Sequence, residues 1–78
     1  MEVLTLDQAA PGQKIILKSL ENTHTLYFKL ISLGILAGDQ LQVMGKAPFG
    51  GPISLKHGSE TFFALRKSEA KEIIVEKV

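Results

Sequence analysis

Histidine, cysteine and carboxylate side chains are the residues that could hold a metal ion in this chain. The sequence has two histidines, His24 and His57, and no cysteine. Neither histidine has a second histidine or a cysteine three or four residues away, and the eight carboxylates are scattered along the chain. Protein metal sites gather several nitrogen, sulfur or oxygen ligands around one ion. We therefore predict no metal site, and we interpret His57 as a turn residue and His24 as the start of a helix.

The serines and the Gly50-Gly51 pair lack the neighbouring residues that catalysis or phosphate binding requires. A serine nucleophile requires a histidine and a carboxylate as partners, and spacing identifies no such set around any of the five serines. Gly50 and Gly51 precede Pro52 and a strand pattern, whereas a phosphate-binding loop runs from Gly-Lys-Ser/Thr into a helix. We predict that the protein is not an enzyme, has no catalytic residues and takes no cofactor.

Composition and length indicate one small globular domain that spans residues 1–78. Hydrophobic residues make up 45% of the chain and charged residues 22%, which is typical of a folded domain. Nine basic and eight acidic residues leave a net charge of +1 with no basic cluster, so we expect no nucleic-acid partner. No apolar run approaches the roughly 18 residues of a membrane-spanning helix, and no basic segment opens the chain. We expect a cytoplasmic protein without direct membrane insertion.

One segment has the period of an amphipathic helix. Leu26, Leu30 and Leu33 recur at i, i+4 and i+7, which predicts a helix over 23–33 with these leucines on its buried face. Gly34 stands where a helix commonly ends in a residue with positive φ. The helix therefore has a defined buried stripe and a defined C-terminal end.

Capping patterns predict where the short helical pieces begin. Asn22 or Thr23 is a suitable N-cap for the helix. Thr5 and Gln8 fit a capping box, and the Pro-Gly pair that follows limits it to a short turn. Ser68 is predicted to cap a brief turn before the last strand.

Short segments of alternating or β-branched apolar residues predict five strands, over 14–20, 40–45, 53–56, 60–65 and 73–78. The predicted strand residues of the core are Ile15, Leu41, Val43, Ile53, Leu65, Ile73 and Val75. Five short strands with one inserted helix indicate an all-β fold. Closure into a small β-barrel would remove exposed strand edges, so we predict a barrel.

Three motifs follow one another in an order that carries a resemblance. They are LISLGILAGD over 30–39, APFGGPI over 47–53, and Ala64-Leu65-Arg66 with Glu69-Ala70 behind it. Together with Pro11-Gly12 upstream of the first strand, they resemble the FeoA family, small cytosolic proteins of bacterial ferrous iron uptake. The chain departs from the usual family pattern at Ala37, where proline is common, and in its helix, where arginines are frequent.

The resemblance implies an SH3-like barrel that associates with the cytosolic part of the FeoB membrane transporter and has no activity of its own. The same barrel occurs as a C-terminal module of iron-dependent transcriptional repressors, so fold alone does not determine function. The alternatives are therefore a regulatory or peptide-binding barrel of the repressor type and a transition-metal-binding module.

Two features of the sequence indicate a surface that contacts a partner. Phe28 lies nearly opposite the leucine stripe with Lys29 at its flank, and a small domain gains little from an exposed aromatic. The loop before residue 53 combines prolines, which restrict φ, with glycines, which permit close backbone approach. We predict a partner-binding surface made of Phe28, Lys29, Pro48, Phe49, Gly50, Gly51 and Pro52. For Phe28, the alternatives are a lone exposed aromatic and a ring covered by a loop. For the loop, the alternative is plain turn chemistry with Phe49 covering one end of the barrel.

Overall fold

A computed structural model describes residues 2–20 and 24–78, and in it six antiparallel strands form one sheet. The strands are β1 (Val3–Thr5), β2 (Lys14–Leu20), β3 (Gln40–Lys46), β4 (Ile53–His57), β5 (Thr61–Leu65) and β6 (Ile73–Lys77). The helices are α1 (His24–Ser32) and α2 (Lys67–Ala70), and a 3₁₀ turn covers Leu6–Gln8. No helix within the described ranges is long and apolar enough to cross a membrane.

The sheet runs in the order β1-β6-β2-β3-β4-β5, so β6 lies between β1 and β2. Within the described ranges no ladder joins β1 to β5, so the sheet is open at these two edges. The fold is mostly β with α1 inserted between β2 and β3, as predicted, but the closed barrel of five strands is not confirmed. The prediction missed β1 because three residues are too few for an alternation to show. Its pairing with β6, with Leu4 opposite Val75, makes it a strand.

One hydrophobic core is built from alternate residues of the strands. Opposed pairs such as Ile15 with Leu41 place their side chains on the same face of the sheet. All the strand residues predicted for the core are buried: Ile15, Leu41, Val43, Ile53, Leu65, Ile73 and Val75. Further buried residues that the prediction omitted are Leu6, Ala9, Leu17, Ile35, Leu55 and Ala70.

The three leucines predicted for the helix all pack against the core, to different depths. Leu26 and Leu30 are buried, as predicted. Leu33 is partly buried, because the helix ends one residue before it. The predicted N-caps, Asn22 and Thr23, lie outside the described residues.

Each of the two short helical turns is preceded by a residue whose backbone N–H donates to the side chain three residues downstream. The Thr5 N–H donates to Gln8 Oε1 at 3.1 Å, which confirms the predicted cap. Before β6, the Arg66 N–H donates to Glu69 Oε1 at 2.8 Å. Helix α2 therefore begins before Ser68, and the prediction that Ser68 is the cap is wrong.

Candidate interaction surface

The outer face of α1 exposes aromatic side chains. Phe28 is 64% exposed and lies away from the buried leucines, as the periodicity predicts. Its neighbour Tyr27 is 49% exposed, and the two ring centroids lie 5.8 Å apart at an interplanar angle of 70°, an edge-to-face contact. Ile31, one turn further along, is also exposed. We call Tyr27, Phe28 and Ile31 the α1 strip.

Lys29 connects the two helices. Its Nζ lies 3.4 Å from Glu69 Oε1, the same oxygen that accepts the Arg66 N–H. Both side chains are partly exposed, so the ion pair contributes at most about 1 kcal/mol to stability. Lys29 thus remains available at the surface, with its ammonium group held close to α2.

The loop between β3 and β4 is a tight turn with an exposed aromatic side chain. The Ala47 N–H donates to Pro52 O at 2.9 Å, and the Gly51 N–H donates to Pro48 O at 3.2 Å. Phe49 is fully exposed and has a φ of 59°, a conformation that costs a bulky residue about 1–3 kcal/mol. The alternative in which Phe49 covers one end of a barrel is therefore wrong.

Helix α2 lies between the two predicted parts of the surface. At its beginning, the Lys67 side chain is close to the loop, since a Cβ on Gly50 would lie 3.9 Å from Lys67 Cδ. At its other end, Glu69 meets Lys29. The loop and α2 share a shallow depression of about 310 Å³, lined by Gly50, Gly51, Pro52, Arg66, Lys67 and Ser68. Among the residues that the structure describes, Lys29 and the loop over 48–52 each lie close to α2 rather than to each other.

An apolar groove, which the sequence did not predict, opens beside the α1 strip. Its volume is about 420 Å³. Buried and exposed apolar side chains line it: Leu17, Tyr27, Leu30, Ile31, Ile35 and Leu36, together with Ser19 and Ala37. A concave site lined mainly by aliphatic and aromatic groups suits an apolar side chain of a partner.

The C-terminal end of α1 builds one wall of this groove. Gly34 has a φ of 80°, and its N–H donates to Ile31 O at 2.8 Å, while the Ile35 N–H donates to Leu30 O at 2.9 Å. These two bonds form a Schellman motif, which commonly places a hydrophobic residue directly after the glycine. Ile35 occupies that position and is buried, and Leu36 follows it at the surface. The Gly-Ile-Leu sequence was the signal that could have revealed the groove.

The polar side chains that could bind a metal form a pair. His57 Nε2 lies 3.0 Å from Asp39 Oδ2, which also accepts the Leu36 N–H at 3.0 Å. His57 is the last residue of β4, so its interpretation as a turn residue is wrong. In the part of the chain that the structure describes, no three His, Cys, Asp or Glu side chains come together as metal ligands. That the protein has no metal site stays a prediction.

Comparison with known proteins identifies the fold in solved structures. A crystal structure of FeoA, an iron uptake regulatory protein, is 32% identical, with a TM-score of 0.86 over 99% of this chain and 100% of that chain. The solution structure of iron(II) transport protein A from Clostridium thermocellum is 36% identical, with a TM-score of 0.85 over 96% of this chain and 46% of that chain. A manganese-dependent transcriptional repressor is 19% identical, with a TM-score of 0.85 over 97% of this chain and 42% of that chain, and shows a shared fold alone.

The comparison of sequences assigns the family. No curated protein matches the chain. The family model of the FeoA domain matches residues 4–77, nearly the whole chain. The chain belongs to the FeoA family, which has an SH3-like fold and takes part in ferrous iron transport.

Proposed function

We propose that the protein is a cytoplasmic, non-enzymatic accessory protein of ferrous iron uptake that binds the cytosolic part of the FeoB membrane transporter. Membership of the FeoA family supports the process. The observation that carries the binding role is the α1 strip beside the apolar groove. The proposed contact surface consists of Phe28 and Lys29 with the loop over 48–52.

Exposed aromatic side chains next to a groove support protein binding. Aromatic and basic residues dominate the few positions that supply most of the energy of an interface. Phe28 offers a large apolar ring in contact with Tyr27, and the groove that Tyr27 lines can accept an apolar side chain of the transporter. Lys29 adds a positive charge at the border of this apolar area, where charges contribute mainly to orientation and association rate.

The loop supports the same role through its conformation. Phe49 has a positive φ and contributes no buried surface, so its side chain costs stability without adding to the core. Contact between the Phe49 ring and a partner would explain why a bulky residue occupies this position in spite of its cost. The loop lies against α2, which also meets Lys29, so one partner surface can reach both parts.

The experiment is a calorimetric titration of the purified FeoB cytosolic domain with the wild-type chain and with the Phe28→Ala/Lys29→Ala variant. We expect the Kd of the variant to be at least about tenfold higher, which is about 1.4 kcal/mol. We expect its melting temperature to stay close to that of the wild type, because both side chains are exposed.

Phe62→Ala is the matched control. Phe62 is 62% exposed, nearly the same as Phe28, but it lies on β5, where Lys56 Nζ is 5.8 Å from its ring centroid. This variant should bind FeoB like the wild type. Equal loss of affinity in both variants, or none in either, would place the interface elsewhere. If the wild-type chain itself does not bind the FeoB domain, the proposed partner is wrong.

A further inference from the structure

Within residues 2–20 and 24–78, strand β5 leaves one edge of the sheet without a hydrogen-bonding neighbour. It is last in the strand order and pairs with β4 alone among the described strands. Apart from that ladder, the backbone of residues 61–65 makes no hydrogen bond to another part of the described chain. A row of unpaired N–H and C=O groups on an edge strand is a template for a further strand.

The two edges of the sheet differ in how well they are protected. At the opposite edge, β1 has only three residues, and an ion pair of 3.0 Å between Glu2 and Lys77 lies beside it. Strand β5 has five residues, none of them charged, and exposes Phe62. Short strands and charged side chains are common devices against edge pairing, and β5 has neither. Its edge is therefore open to an extended strand.

The sequence of β5 is complementary to a second copy of itself. Glu60 precedes the strand and Arg66 follows it, and both are exposed. In an antiparallel pair centred on Phe63, Glu60 of each copy lies alongside Arg66 of the other. The same register places Phe62 of each copy opposite Ala64 of the other, a large ring against a small exposed side chain. Opposite charges and fitting apolar pairs across strands both stabilise a sheet.

We propose that two copies of the chain associate through antiparallel pairing of their β5 strands. The two-fold axis passes beside Phe63, so each Glu60–Arg66 contact occurs twice, as in any isologous dimer. One strand edge buries less than the roughly 1,200 Å² of a standard interface, so the dimer is weak and depends on concentration. The α1 strip and the groove lie on other elements, so this dimer does not rest on the proposed function.

Sedimentation equilibrium over a series of concentrations tests the dimer. Glu60→Arg and Arg66→Glu each turn two attractive contacts into repulsive ones, and we expect each to raise the dimer Kd about tenfold. Lys71→Glu is the control, since it makes the same charge change as Arg66→Glu at an exposed residue outside β5. It should leave the dimer Kd unchanged.

Mixing the two single variants provides the second readout. An equimolar mixture of the Glu60→Arg and Arg66→Glu chains brings opposite charges together again, so native mass spectrometry should show a heterodimer in preference to either homodimer. Thermal melts that match the wild type verify that each variant is folded. A wild-type chain that stays monomeric at every concentration would overturn the proposal. So would single variants that dimerise as tightly as the wild type.

Discussion

His57 Nε2 lies 3.0 Å from Asp39 Oδ2, and this contact joins the end of β4 to the turn before β3. The same carboxylate oxygen accepts the Leu36 N–H at 3.0 Å, and the Asp39 N–H donates back to Leu36 O at 3.0 Å. Leu36 is 57% exposed and lines the groove. The pair therefore holds an exposed residue of the candidate binding surface in place.

Removing the two members of this pair should have unequal effects. Asp39→Ala deletes the acceptor of both His57 and the Leu36 N–H, whereas His57→Ala deletes one contact and leaves the Leu36 bond. Each hydrogen bond contributes about 0.5–1.5 kcal/mol. We expect Asp39→Ala to lower the free energy of unfolding about twice as much as His57→Ala, as measured by urea denaturation. Equal losses would show that the bond to Leu36 contributes nothing.

Neighbouring residues of α1 should respond very differently to truncation. Leu30 is buried in the core, whereas Ile31 is exposed in the α1 strip. Leu30→Ala should lower the free energy of unfolding by about 2–5 kcal/mol through lost burial and the cavity left behind. Ile31→Ala, the control, should change it by no more than about 1 kcal/mol. Urea denaturation of both variants measures these two free energies of unfolding. A Leu30→Ala chain as stable as the wild type would contradict the burial of Leu30.

Local patterns explain what the sequence could predict. The leucine stripe of α1 depends on a repeat within one helix, and it correctly placed Leu30 inside and Phe28 outside. The bounds of β2 follow from a run of aliphatic residues, and Gly34 has the positive φ that its position after the helix predicts. Each of these features depends on neighbours within one or two turns of chain.

Contacts between distant segments explain what the sequence could not predict. Strand β1 exists because it pairs with β6 from the other end of the chain, and the open edge of β5 depends on the order of all six strands. The groove needs Leu17, Ile31 and Leu36 from three separate segments. The position of α2 between Lys29 and the loop is likewise a tertiary relationship. The periodicity of a sequence does not indicate which distant segments become neighbours in the fold.

Substitutions of Phe49 should affect the stability of the fold and the affinity for a partner differently. Its ring is fully exposed, and its φ of 59° suits glycine better than a bulky residue. We expect Phe49→Gly to keep or raise the melting temperature, and to raise the Kd for the FeoB cytosolic domain about tenfold through loss of an aromatic contact. Phe49→Asn, which also tolerates this φ, checks that loss of the ring rather than added flexibility is responsible. Thermal melts and calorimetric titrations of the same samples measure both quantities. Unchanged affinity in both variants would remove the loop from the proposed surface, and a lower melting temperature would show that the ring stabilises the fold.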